Sequence, residues 1–142
     1  MNNNEAINLH QILLNGSESY FSKDSKVKMS DKLLHSINRN VRTLKAAVTS
    51  RDNTLSDIQA SFKKSQDVTE EDLKDEKKLS EINTRFQEYL AESEGMKDFL
   101  NESFETPLYT VDAREVENAI IPPSFENVLF GYIVNDEKEV VK

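Results

Sequence analysis

The chain has 142 residues, 31% charged and 37% apolar, with a formal net charge of −8, which is one domain's worth of sequence with the balance of a long, well-solvated helical protein. The acidic excess gives no electrostatic reason to seek DNA, RNA or an anionic membrane, and the absence of cysteine removes disulfides, thiolate metal sites and a cysteine nucleophile. No apolar run approaches the ~20 residues that span a bilayer, and Met1–Glu5 lacks the basic region and apolar run of a signal peptide.

In chain order, Asn4 is a candidate cap for a short helix through Leu14 that carries Ile7, Leu9, Ile12 and Leu13, with Asn15-Gly16 as a left-handed stop. Residues 17–29 read as a polar connector holding the adjacent aromatics Tyr20 and Phe21. Ser30 stands where an N-cap belongs, and Asp31 suits the positive end of the helix dipole. Leu34, Ile37, Val41, Leu44, Val48, Leu55, Ile58 and Phe62 then recur at steps of three and four, with Arg51 the one polar residue in register. This predicts a helix over about 31–66. Thr69–Asp72 resembles a capping box with Asp in place of Glu or Gln. A second helix over about 70–101 is expected from Leu79, Ile82, Phe86, Tyr89, Met96 and Leu100, with a gap at Ser93 and a weak point at Gly95. The average step of about 3.5 is that of a coiled-coil seam.

Pairing Phe62 with Leu73 across an antiparallel hairpin puts Arg51 opposite Thr84, so Arg51, Glu81 and Glu88 are expected as the polar set of the seam. Pro107 precedes a short strand over 108–111, residues 112–119 can form a helical turn, and Ile120-Ile121-Pro122-Pro123 is extended. Ser124 is a candidate cap for a last helix with Phe125, Val128, Leu129, Tyr132 and Ile133 facing inward, before a charged tail. The expected fold is therefore mainly α, a single domain over 1–142. A long antiparallel coiled-coil-like helical hairpin over 31–101 stands on a small α+β base formed by 1–30 and 102–142. Leu9, Ile12, Leu13, Leu108, Val111, Ile121, Phe125 and Leu129 should form one cluster that closes the open end of the hairpin.

Reactive chemistry is sparse. His10 and His35 are the only histidines, and neither has a helical HxxxH or HxxE partner. Glu70, Glu71, Asp72, Asp75 and Glu76 lack the glycine and alternating oxygen ligands of a calcium loop and read as a solvated first turn. Gly16, Gly95 and Gly131 are too far apart for a phosphate loop, and no serine has an adjacent base or a nucleophile elbow. No catalytic residue, cofactor or metal is expected. Lys26, Lys28, Lys32, Arg39, Arg42 and Lys45 gather around the start of the first long helix. That basic stripe lacks interleaved aromatics, which argues against nucleic acid and leaves an acidic protein surface or plain solvation. Tyr20 and Phe21, beside Lys23, Lys26 and Lys28, form the best candidate protein-contact patch, with core packing as the alternative.

Two stretches, Lys26 to Leu44 and Tyr109-Thr-Val-Asp112 with Ile121 to Phe130, together resemble a family of small phage-encoded proteins of unassigned function. Those proteins look like a leading short helix, a basic segment entering a long helix, a charged helical hairpin, a strand and a last helix. The family pattern has a shorter seam, so the long hairpin here is a departure. The resemblance implies a viral origin and a binding role. The expected function is that of a non-enzymatic phage protein acting through protein–protein contacts, as a virion structural component or assembly factor, located in the virion or host cytoplasm. The alternative is a small acidic inhibitor of a host protein. Partners are then phage structural proteins or a host protein, and self-association is open, because the spacing does not decide whether the seam closes within one chain or between chains.

Overall fold

A computed structural model describes residues 1–20 and 26–135. Among them the chain is mainly helical, with six α-helices and one small two-stranded parallel sheet. Helix α1 spans Asn3–Tyr20. Asn2 rather than Asn4 caps it: the Glu5 amide donates to Asn2 Oδ1 at 2.9 Å, and the Asn2 amide donates to the Glu5 carboxylate at 3.5 Å. The helix also runs through Asn15-Gly16. A Cβ on Gly16 would lie 2.4 Å from the Phe125 ring, so this glycine admits a close neighbour instead of ending the helix.

Helix α2 spans Asp31–Ser65 and, at 35 residues, is roughly 50 Å long. Ser30 caps it as expected, accepting from the Leu33 amide at 3.2 Å. Its far end closes with Gln66 and Val68 amides donating to the Phe62 and Lys63 carbonyls, around Asp67 at φ 49°. This is a Schellman stop with aspartate in the left-handed position that glycine usually takes.

The segment expected as one helix over 70–101 is three: α3 (Glu70–Lys74), α4 (Glu76–Glu92) and α5 (Glu94–Asn101). Asp75 and Ser93 break it. Each is extended and turns its side-chain oxygen onto the next helix, Asp75 accepting from the Lys77 and Lys78 amides and Ser93 from the Met96 amide. A short polar side chain that satisfies orphan amides competes well with one more turn of helix. The capping box at Thr69 and Asp72 is present in both directions.

Strands β1 (Val111–Asp112) and β2 (Val134–Asn135) pair in parallel, Val111 with Val134 and Asp112 with Asn135. A 3-10 turn at Ala113–Glu115 and helix α6 (Pro123–Tyr132) connect them. Pro122 occupies the N-cap position of α6, so Ser124 lies inside the helix. The strand lies later than the expected 108–111 because the Tyr109 backbone is bonded to a side chain of α2. The terminal stretches are also tied to the body: Asn2 bridges Ser103, and Lys28 bridges Ile120.

The core runs along the first half of α2. Leu33, Ile37 and Leu44 are fully buried with Leu9 and Leu13 of α1 and Leu129 of α6. Of the expected base cluster, Val111 and Phe125 also join this core, and Leu108 and Ile121 pack against it half-buried. Ile12 does not join, since it is 41% exposed. The cluster is thus continuous with α2 and is more than a plug at one end.

Farther along α2, Phe62 is buried, with its ring 5.3 Å from both Phe86 and Tyr89 of α4. These ring partners of Phe62 lie 13 and 16 residues beyond Leu73, the partner that a tight link would give it, and the left-handed turn and α3 lie between. The Arg51, Glu81 and Glu88 set dissolves with that register. Arg51 donates to its neighbour Asp52 at 3.2 Å, and Glu81 and Glu88 are exposed. Among the described residues no helix is long and apolar enough to cross a membrane.

Candidate interaction surface

The most organised surface feature is built around Tyr109, and it begins inside the core. Ser36 and Asn40 lie on the buried face of α2 and are fully buried. A buried amide is costly unless its groups are paired. Asn40 Oδ1 accepts from the Tyr109 amide at 2.7 Å, and Asn40 Nδ2 donates to the Tyr109 carbonyl at 2.8 Å. Ser36 Oγ donates to the same carbonyl at 3.2 Å. One side chain thus does for Tyr109 what a neighbouring strand would do.

With its backbone fixed there, the half-buried Tyr109 ring lies at the surface of α2. The Arg39 guanidinium stands over it, 4.7 Å from the ring centre, and the His35 ring meets it edge-on at 6.4 Å. A guanidinium held on an aromatic face is worth about 0.5–1 kcal/mol at an exposed site and keeps its donors available. Lys32, His35, Arg39 and Arg42 follow each other at steps of three, four and three, and all are exposed. Helical spacing puts them on one stripe. A basic and aromatic surface therefore stands on a chain whose net charge is −8.

At the start of the same helix lies a cleft of about 310 Å³, lined by Lys28, Met29, Ser30, Arg114, Glu115 and Asn118 among others. Ser30 Oγ donates to Glu115 Oε2 at 2.7 Å while it accepts from the Leu33 amide, so this hydroxyl is committed to structure. A second groove, of about 350 Å³, lies between α1 and α6 beside Gly16, Phe125 and the exposed Ile12.

Of the contact patch expected from the sequence, Phe21 and Lys23 lie outside the described residues. Tyr20 is the last residue of α1. Lys26 is exposed, and Lys28 exchanges backbone hydrogen bonds with Ile120 at 2.8 Å. Of the two histidines, His35 is exposed beside Tyr109, whereas His10 is buried at 8% exposure. Burial, followed by the positive charges of Lys45 and Arg51, holds the His10 imidazole below its ordinary value. Within the acidic run, Asp72 and Asp75 serve as caps, and the Thr69 backbone hydrogen bond holds the Asp72 carboxyl below its ordinary value. Among the described residues no three His, Asp or Glu side chains come together in a metal-binding group.

The basic half of this surface was visible as Lys32, Arg39 and Arg42. The aromatic half was not, because Tyr109 lies 69 residues from Asn40 in sequence. A polar residue on the core face of α2 was the one available signal. Comparison with protein-family models, curated proteins and solved structures finds no match to this chain.

Proposed function

We propose that this chain is a non-enzymatic phage protein that acts through protein–protein contacts, as a virion component or assembly factor. The observation that carries the binding role is the exposed row Lys32, His35, Arg39 and Arg42 with Tyr109 under Arg39. Arginine and tyrosine are the residue types that interfaces favour, and a ring with a rigid backbone loses little entropy on binding. The partner surface is acidic, which is the complement such a row requires. The phage setting rests on the resemblance in layout, from the basic entry into α2 to the strand and last helix. In this reading α2 and the α4–α5 segment form an antiparallel, coiled-coil-like hairpin that acts as a spacer, and the basic surface near its base makes the contact. Localisation is the virion or the host cytoplasm.

The test is quantitative mass spectrometry of purified particles from infections with the native gene and with Arg39→Glu/Arg42→Glu. A fixed copy number for the native protein, lost in the variant while its melting temperature holds, supports the reading. Equal incorporation of the variant removes the basic row from the contact. Absence of the native protein from particles, with early expression, points to a small acidic inhibitor of a host protein.

A further inference from the structure

Asn15-Gly16 is the one Asn–Gly step in the chain. In an unfolded chain this pair is chemically weak, because glycine has no side chain to hinder attack by its backbone nitrogen on the preceding side-chain amide. A bond forms between Gly16 N and Asn15 Cγ and closes a succinimide ring. The side-chain nitrogen leaves as ammonia and carries away the Gly16 amide proton. Water then opens the ring at either carbonyl, returning a proton to Gly16 N. Opening at Cγ gives aspartate. Opening at the main-chain carbon gives isoaspartate, whose backbone runs through the side chain and is longer by one methylene.

The fold holds this reaction off by geometry alone, since Asn15 is exposed and water reaches it. Gly16 lies inside α1, where helical bonding turns its N–H toward the Ile12 carbonyl. The Asn15 side chain points the other way. Its Oδ1 accepts from Gln11 Nε2 at 2.9 Å, one turn back along the helix and away from the Gly16 nitrogen. The third restraint is the buried Phe125 ring, which lies so close to Gly16 that a Cβ there would be 2.4 Å from it. Helix ends fray at little cost, and this contact pins the end of α1 to α6. Packing against Phe125 requires glycine at position 16, and glycine is what makes Asn15 reactive once the helix opens.

We infer that Asn15 is a self-modification site gated by the opening of α1 from Phe125, and that isoaspartate formed there makes the opening permanent. The lengthened backbone and the lost Asn15 carbonyl prevent the helix from returning Gly16 to the ring. The native rate is then the unfolded rate multiplied by the open fraction. Peptide mapping by mass spectrometry, on the full chain at neutral pH, follows conversion of Asn15 in buffer and in urea. Conversion should be about a hundredfold or more faster in urea. Hydrogen exchange at the Gly16 amide gives the open fraction separately, and the two measures should agree. Phe125→Leu thins the cover over Gly16 and should speed conversion several-fold in buffer, with the urea rate unchanged. If that variant does not fold, the exchange comparison on the native chain still decides. Purified chain carrying isoaspartate at position 15 should melt below native. Asn15→Asp, which gains the carboxylate without the extra methylene, should melt close to native. Equal rates in buffer and urea overturn the inference, as does a native rate that departs from the open fraction. So does a folded Phe125→Leu chain that converts no faster, or an isoaspartate chain as stable as native.

Discussion

Replacing Asn40 by alanine should be among the costlier single changes in this protein. The amide makes two short hydrogen bonds, at 2.7 and 2.8 Å, to the backbone of Tyr109, from a fully buried position. Each bond contributes roughly 1 kcal/mol net, and a buried group left unpaired adds about 1–3 kcal/mol. After the substitution the Tyr109 carbonyl keeps its bond from Ser36 Oγ, so only the Tyr109 amide is orphaned. The expected loss is about 3–5 kcal/mol, a large share of a typical domain's stability. Ser36→Ala should cost roughly 1 kcal/mol, because Asn40 still serves both groups of Tyr109. Urea unfolding followed by circular dichroism gives both values. Hydrogen exchange at the Tyr109 amide gives a local one, and it should accelerate in Asn40→Ala more than in Ser36→Ala. An Asn40→Ala protein within about 0.5 kcal/mol of native, or as stable as Ser36→Ala, would refute the bridging role of this amide.

Gly16→Ala should lower the melting temperature, because its methyl would meet the buried Phe125 ring at 2.4 Å, and a packing cost of about 1–3 kcal/mol exceeds a helix-propensity gain of about 1 kcal/mol. Gly131→Ala, with nothing within 4 Å of its Cβ, is the control and should be neutral or stabilising. Asp67→Gly should raise stability by about 0.5 kcal/mol in urea unfolding by relieving a non-glycine residue at φ 49°. His10 is held below its ordinary value of 6.5 in the folded state, so the unfolded chain takes up the proton first. Its contribution is complete above that value and is lost as pH falls below it. His10→Gln should flatten the urea midpoint against pH in this window, and an unchanged slope would show that His10 is not the group responsible.

The helices were legible where their signals are local. Ser30 starts α2, and Thr69 with Asp72 starts α3, because a cap acts within three residues. The gap at Ser93 was visible too, but whether a polar residue interrupts a stripe or begins a new helix turns on about 1 kcal/mol of capping. Register was not legible. It depends on Asp67 adopting a left-handed conformation and on the Phe62 ring choosing Phe86 and Tyr89 as neighbours. A slip of this size leaves the heptad pattern intact while replacing every cross-helix pair, and Arg51 meets Asp52 rather than Glu81 or Glu88. Gly16 failed for a related reason. An Asn-Gly step reads as a turn locally, and only the approach of Phe125 from 109 residues away explains a glycine inside a helix.

Asn40 connects the core to the proposed contact surface. It lies three residues after Ile37 and four before Leu44, at the centre of the buried face of α2. An apolar residue there would pack as well as its neighbours but would leave the Tyr109 amide without a partner. The cost of burying an amide is offset only because the chain returns at Tyr109 and matches both of its groups. That match fixes the Tyr109 backbone, the ring follows from the backbone, and Arg39 rests on the ring. The exposed cation therefore has its position specified from inside the molecule. Ser50 of the same helix bears no such burden: it is exposed, and its carbonyl accepts from the Thr54 hydroxyl. The distinction between a polar residue that orders a surface and one that is merely solvated thus lies in the partner it meets, which no local reading of α2 contains.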